Sequence, residues 1–436
     1  MKSHKAKYLL FIWMIFFLTN QKICAQSPDS STAEILKNIH AVENNLAGIN
    51  GTAKDSAWNI LSRMNHYKVK GVSFAVIHNY KIEWAKGYGW ADENAQIPVS
   101  TETRFQAASI SKSLNAVGLL KLTQENKLDL QADINQYLTS WKFPYDAISK
   151  GKKISTIELL SHTAGLNVHG FEGYQTGAPL PTIVQILNGQ PPANSEAIRS
   201  MIEPGLRSEY SGGGITISQL IVMDITGMTY DQFMQDEVLT PLGMTGSSYE
   251  QPSKIDSTLL ATGYTGNGDE VPDKYHVYPE QAAAGLWTNP TDLSKYIIET
   301  QLAWEGKSSK VLNQTTTHLR LTPYGDIHAA LGVFIDSTDG RIYFQHGGAN
   351  EGFRCQYMGS LSGGDGLVIM VNSDNGAIIP EIMNSVSRVY HWKGLTIYHL
   401  NQNKPGFSFL WTSASLLLLL SASFLIIRRN KRKRMK

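Results

Sequence analysis

The pattern of apolar and polar positions divides the chain into strand-rich ends around a helical middle. VSFAVIHN (72–79) is an apolar run rich in β-branched and aromatic side chains, the signature of a buried strand. KIEWAKGYGW (81–90) follows after a tight connection, so the pair predicts a β-hairpin. Strand patterns return late, in AALGVFID (329–336), RIYFQHGG (341–348), FRCQYMGS (353–360) and GLVIMVNS (366–373). Between these regions the apolar spacing is helical. It predicts a long helix from Phe105 to about Asn126, and shorter ones in TIELLSH, PTIVQILNG, ITISQLIVMDIT and TDLSKYIIETQ. Upstream, TAEILKNIHAVENNL and SAWNILSRM have helical spacing, and a last helix is predicted at about Pro380–Tyr390. The fold class expected is α/β (α+β). One antiparallel sheet is built from both ends of the body and flanked by the terminal helices, with a mostly helical subdomain inserted. A cleft would form at the seam between sheet and helices.

The two ends carry separate signals. Lys2, Lys5 and Lys7 precede the apolar run Tyr8–Leu18, and ICAQ offers cleavage after Ala25, which reads as a secretory signal peptide over 1–25. Near the other end, Phe407–Ile427 is an uncharged apolar stretch followed at once by RRNKRKRMK. That pattern predicts a C-terminal transmembrane helix, a cytoplasmic tail at 428–436 and a body outside the cytoplasmic membrane. The expected organisation is then a helical lead-in over 26–70, the main domain over 71–393 and a linker over 394–406.

Charge and cysteine content narrow the function classes. The formal net charge is +2, yet the two ends hold 11 of the 39 Lys and Arg. That leaves 28 basic against 37 acidic residues, a net of −9 over 26–427. A body this acidic argues against nucleic acid as a partner. With the signal removed, Cys355 is the one remaining cysteine, so an internal disulfide is not expected. The chain has no G-x-S-x-G elbow, no H-E-x-x-H, no Cys or His pair at zinc spacing and no P-loop. Neither a metal nor a cofactor is expected.

Candidate chemistry begins at FQAASISKSL, where Ser109 precedes Lys112 by three residues at the start of a helical pattern. A serine hydroxyl needs a base before it becomes a nucleophile, and residues i and i+3 share a helix face. The first turn also presents a backbone N–H and the positive end of the helix dipole to a developing oxyanion. The spacing alone is weak. It recurs at Ser149–Lys152, in SKGKK, which reads as a solvated turn. Three other stretches add weight. SEYSGGG (208–214) places Tyr210 before a glycine run that opens a helix, where it could shuttle protons or be an ordinary half-buried aromatic. FQHGGANEGFR (344–354) ends a strand in His346, Gly347 and Gly348, and glycines there let a second backbone approach a sheet edge. LLSHTAGL (159–166) has no evident chemistry, and its Ser161 and His162 read as loop-stitching residues.

Together these stretches resemble the serine β-lactamase and penicillin-binding-protein-like superfamily, in the branch of class C β-lactamases, DD-peptidases, D-aminopeptidases and related esterases. The resemblance covers roughly residues 60–392. SISK stands as the first motif, YSG as the second and HGG as the third, with LLSHTAGL and AAAGLWTNPTDLSKY (282–296) as further landmarks. It implies that Ser109 is the acylated nucleophile, that Lys112 assists its deprotonation, and that Tyr210 is partner base and then acid. It implies an oxyanion hole from the backbone N–H groups of Ser109 and Ala349, with substrate contacts at His346, Gly347, Gly348 and Gly212. Two positions depart from the pattern. Gly212 stands where class C enzymes carry Asn, and His346-Gly347 replace a Lys-Thr that grips a carboxylate. Both changes favour small peptide, amide or ester substrates over β-lactams. The alternatives are a sensor that is acylated without turnover, or a catalytically silent member.

Overall fold

The computed structural model describes residues 30–47, 58–250, 257–325, 327–338 and 340–392. The expected signal peptide, the linker from 394, the membrane helix and the basic tail lie outside the described residues. Among the described residues no helix is long and apolar enough to cross a membrane.

The predicted hairpin forms as β1 (Gly71–His78) and β2 (Lys81–Asp92), with a short β3 (Ile97–Pro98) on its outer side. Two-residue strands β4 (Phe105–Gln106) and β5 (Trp287–Thr288) pair with each other away from the main sheet. The late strands are β6 (Phe334–Thr338), β7 (Arg341–Asn350), β8 (Phe353–Ser360) and β9 (Gly366–Val371). The seven-stranded sheet runs β3-β2-β1-β9-β8-β7-β6 and every pair is antiparallel. Pairing of β1 with β9 joins the two ends of the body, as the strand pattern predicts.

Alternation along the strands sends side chains to two separate cores. Val72, Phe74 and Val76 of β1, with Leu367, Ile369 and Val371 of β9, pack under the terminal helices Ser30–Glu43, Ile60–His66 and Ile378–Val389. Val368 and Met370 of β9 face the larger core, which holds the helical middle. A buried ion pair closes the first core. Arg63 donates to Glu381 from Nε at 2.6 Å, and Tyr67 adds a hydroxyl to the same carboxylate.

Two predicted elements shift. The long helix starts at Ser111 rather than Phe105, because Phe105–Gln106 pairs with Trp287–Thr288 and a 3₁₀ turn, Ala108–Ile110, intervenes. The strand predicted from Ala329 begins only at Phe334. Gly332 takes φ +73° there, and a Cβ on it would sit 2.6 Å from the Lys112 carbonyl oxygen, so the chain turns where the apolar run continues.

Candidate active site

Ser109 sits in the 3₁₀ turn that feeds the Ser111–Gln124 helix. The residue before it, Ala108, is fully buried and held at φ +47°, a left-handed conformation that a side chain adopts at a cost. Ser111 locks this turn: its Oγ donates to the Ala108 carbonyl at 2.6 Å and accepts from Leu286 N at 3.0 Å. One turn along, Lys112 is 2% exposed. Its Nζ donates to Ser109 Oγ at 2.9 Å and to the Ala283 carbonyl at 2.7 Å. The AAAGLW landmark therefore supplies the oxygen that aims the lysine.

Tyr210 precedes the N-cap of the Gly212–Thr226 helix, where Ser211 Oγ accepts from Gly214 N at 2.9 Å. Lys112 Nζ lies 5.3 Å from the Tyr210 ring centre. His162 and Phe334 wall the ring, with centroids 4.3 and 6.3 Å away. His162 also grips both neighbours of Tyr210. Its carbonyl accepts from Glu209 N at 2.7 Å, and its Nδ1 accepts from Ser211 N at 3.3 Å. Burial holds the His162 imidazole far below its ordinary pKa, and the Lys112 charge adds to this, so the ring is neutral.

The third motif lies on an open strand margin. β6 pairs with β7 only as far as Gln345, so residues 346–350 are paired on the β8 side alone. His346 Nδ1 lies 2.6 Å from the Gly347 carbonyl, which can only accept, so Nδ1 carries the proton. Its Nε2 is buried without a hydrogen-bond partner. Desolvation first, then the Lys112 charge, push the His346 pKa down to about 3. The group in the place of the family's lysine is therefore uncharged at neutral pH. Gly348 makes room for the turn that carries Ser109: a Cβ there would meet the Ala107 carbonyl oxygen at 2.2 Å and Cys355 Sγ at 2.5 Å.

A cavity of about 590 Å³ brings together Ser109, Tyr210, Gly347, Gly348 and Ala349. Lys112 reaches it through Ser109. His346 does not line this cavity. It lines a neighbouring one of about 360 Å³ with Phe334, Asp336 and Gln345, and Gly347 is common to both. Gly212 is buried at the start of its helix, where its N–H donates to the His169 carbonyl at 3.1 Å. A Cβ at that position would lie 3.0 Å from His169 O and 3.2 Å from Phe171, so an asparagine there would displace the 169–171 loop. Sequence reasoning missed the His162 and Phe334 rings and the far wall of the cavity, formed by the Ile378–Val389 helix. It also missed Glu280, fully buried with both carboxylate oxygens unpartnered, whose pKa desolvation raises to about 7.

With this geometry in view, the β-lactamase family model matches residues 58–380. The chain belongs to the β-lactamase family. It is 24% identical to the protein flp of Staphylococcus aureus (strain N315) over 391 residues, which cover 84% of this chain and 74% of that one. The penicillin-binding protein homologue of Pyrococcus abyssi, described as octameric, superposes with a TM-score of 0.65 at 22% identity, covering 76% of each chain. The D-amino acid amidase of Ochrobactrum anthropi SV3, solved with D-phenylalanine, gives a TM-score of 0.64 at 19% identity, over 81% of this chain and 99% of that one. These neighbours share the fold, and an amidase is among them.

Proposed function

We propose that the chain is a serine hydrolase that cleaves small peptide, amide or ester substrates through an acyl-serine intermediate. One observation carries this reading: Lys112 Nζ stands 2.9 Å from Ser109 Oγ, at a cavity that also holds Tyr210 and Ala349. Ser109 Oγ attacks the substrate carbonyl carbon, and its proton passes to the Lys112–Tyr210 pair. The carbonyl oxygen becomes an oxyanion held by the backbone N–H groups of Ser109 and Ala349. Collapse breaks the bond to the leaving group, which takes the stored proton. Water then attacks the acyl-serine, returning the proton to Ser109 and releasing the acid. The D-amino acid amidase among the structural neighbours supports amide substrates. The neutral His346 supports substrates that do not rely on a cation at the third motif.

The apolar run Phe407–Ile427 and the basic residues after it support a membrane anchor with the catalytic domain outside the cytoplasmic membrane. Intact-protein mass after exposure to an activated ester, with a penicillin in parallel, tests the hydrolase reading. A transient acyl adduct on the wild type that Ser109→Ala lacks is the expected result. A stable adduct with no turnover would make the protein a sensor, and an adduct that survives Ser109→Ala would remove Ser109 from the mechanism.

A further inference from the structure

Asn350 ends β7, one residue past Ala349, and the proton path above does not use it. Its side chain is buried, and Nδ2 donates to two acceptors: Gln106 Oε1 at 2.7 Å and the Ala284 carbonyl at 3.2 Å. Both belong to segments that the site needs. Gln106 stands three residues before Ser109 and leads into the Ala108–Ile110 turn. Ala284 adjoins Ala283, whose carbonyl accepts from Lys112 Nζ at 2.7 Å. One amide thus ties together β7, the turn that carries Ser109 and the Gln281–Ala284 helix that aims Lys112.

The order of donors and acceptors along this line is fixed at both ends by carbonyls, which only accept. Gln106 gives Nε2 to the His276 carbonyl at 2.6 Å, which leaves Oε1 for Asn350. The Ala284 carbonyl needs a donor as well, so Asn350 supplies a proton to each. The main chain of Asn350 is held too, because its carbonyl accepts from Arg354 Nη1 at 2.6 Å. Sheet pairing fixes residues 346–350 on the β8 side alone. Toward the Ser109 turn, side chains span the gap: Asn350 to Gln106, and the Cys355 thiol to the Ala107 carbonyl at 3.1 Å. An oxyanion hole works only when its donors are preorganised at the right separation. Here the two proposed donors sit on the two segments that Asn350 joins.

We propose that Asn350 is a positioning residue for acyl transfer. It sets the separation of the Ser109 and Ala349 N–H groups and, through Ala284, the aim of Lys112. It does not line the cavity and acts through these groups. The proposal rests on the serine hydrolase reading.

The test uses the full chain, with kcat/KM for 4-nitrophenyl acetate and the inhibition constant of phenylboronic acid, which forms a tetrahedral adduct on a serine oxygen. Asn350→Ala is expected to lower kcat/KM at least about tenfold, short of the roughly 10²–10³-fold that outright loss of an oxyanion donor costs. Boronate affinity is expected to fall in step. The matched control is Asn372→Ala. Asn372 is also buried and donates Nδ2 to two carbonyls, of Trp90 at 3.1 Å and Ala91 at 3.3 Å, and it does not line the cavity. Both variants are expected to lose stability to urea, and only Asn350→Ala to lose activity. If Asn350→Ala lacks native near-UV circular dichroism, Asn350→Ser, which keeps one donor, replaces it, with at least about a threefold loss expected. A folded Asn350 variant within twofold of wild type in both readouts, or an equal loss of activity in Asn372→Ala, would overturn the proposal and leave the hydrolase reading standing. A wild type that matches Ser109→Ala in both readouts would overturn that reading, and the proposal with it.

Discussion

The chain contains the Ser-x-x-Lys spacing twice, and the two places differ in almost everything else. Ser149 too lies in a 3₁₀ turn, but Lys150 and Gly151 then take φ of +49° and +79°, so the backbone leaves the helical path before Lys152. Ser149 Oγ donates to the Asp146 carbonyl at 2.7 Å. Lys152 reaches away from it, 54% exposed, to share Glu203 with Lys150. At Ser109 the turn runs straight into a helix, so the lysine lies over the serine. Lys112 is buried and given a hydroxyl and a carbonyl where Lys152 has a carboxylate. Spacing thus provides only the opportunity for a nucleophile. A continuous path into the helix, and a hydroxyl and a carbonyl rather than a carboxylate on the lysine, set Ser109 apart as the candidate.

Carboxylates show the same contrast. Glu203, on the surface between two lysines, has its pKa lowered to about 2, first by Lys150 and then by Lys152. Glu280, next to the helix that supplies the Ala283 carbonyl, is buried without partners and shifts the other way, to about 7.

The strongest way to sharpen the comparison is to remove each lysine in turn. Lys112→Ala is expected to lower kcat for an activated ester by at least about 10³-fold, and Lys152→Ala by less than about twofold, in steady-state assays. Comparable losses would erase the distinction between the two sites. Tyr210→Phe is expected to cost roughly 10²–10⁴-fold in kcat with the fold intact. Near-normal turnover would take the phenol out of the proton path.

The Glu280 prediction concerns stability. Its folded pKa lies above the unfolded value of 4.5, so the native state keeps a proton that the unfolded chain loses. The penalty for burying its charge is therefore absent below about pH 4.5, and stability falls as pH rises from there through about 7. Glu280→Gln is expected to gain on the order of 3 kcal/mol at pH 8 and little at pH 4, measured by urea unfolding. An equal effect at both pH values would contradict the assignment. Smallest of all, Ser149→Ala removes one hydrogen bond to a carbonyl. About 1 kcal/mol of stability should be lost, with activity unchanged.

Much of the fold was legible because the apolar runs at 72–79 and 366–373 suit only a strand buried on both faces, and these become β1 and β9, paired at the centre of the sheet. The helix start was not legible. Phe105 and Gln106 fit a helix or a strand equally, and the choice is made by Trp287 and Thr288, far along the chain. Ser109, Lys112 and Tyr210 were legible as motif positions and Ala349 as the residue after the third motif, and the structure brings Ser109, Tyr210 and Ala349 to one cavity, with Lys112 hydrogen-bonded to Ser109. His162 was read as stitching a loop, and it does so through Glu209 and Ser211. Its ring against Tyr210 could not be read, because that contact exists only once two distant loops meet. The far wall of the cavity, at Met383, was hidden for a similar reason. The helical period places Met383 on an apolar face, but only the glycine margin of β7 opens that face to Ser109.

The most direct test of the central claim is peptide mapping of the full chain after brief fluorophosphonate treatment. A single adduct on the peptide that carries Ser109, absent from Lys112→Ala and unaffected by Lys152→Ala, is the predicted result. Labelling at Ser149 as readily as at Ser109, or labelling that is indifferent to Lys112, would contradict the account.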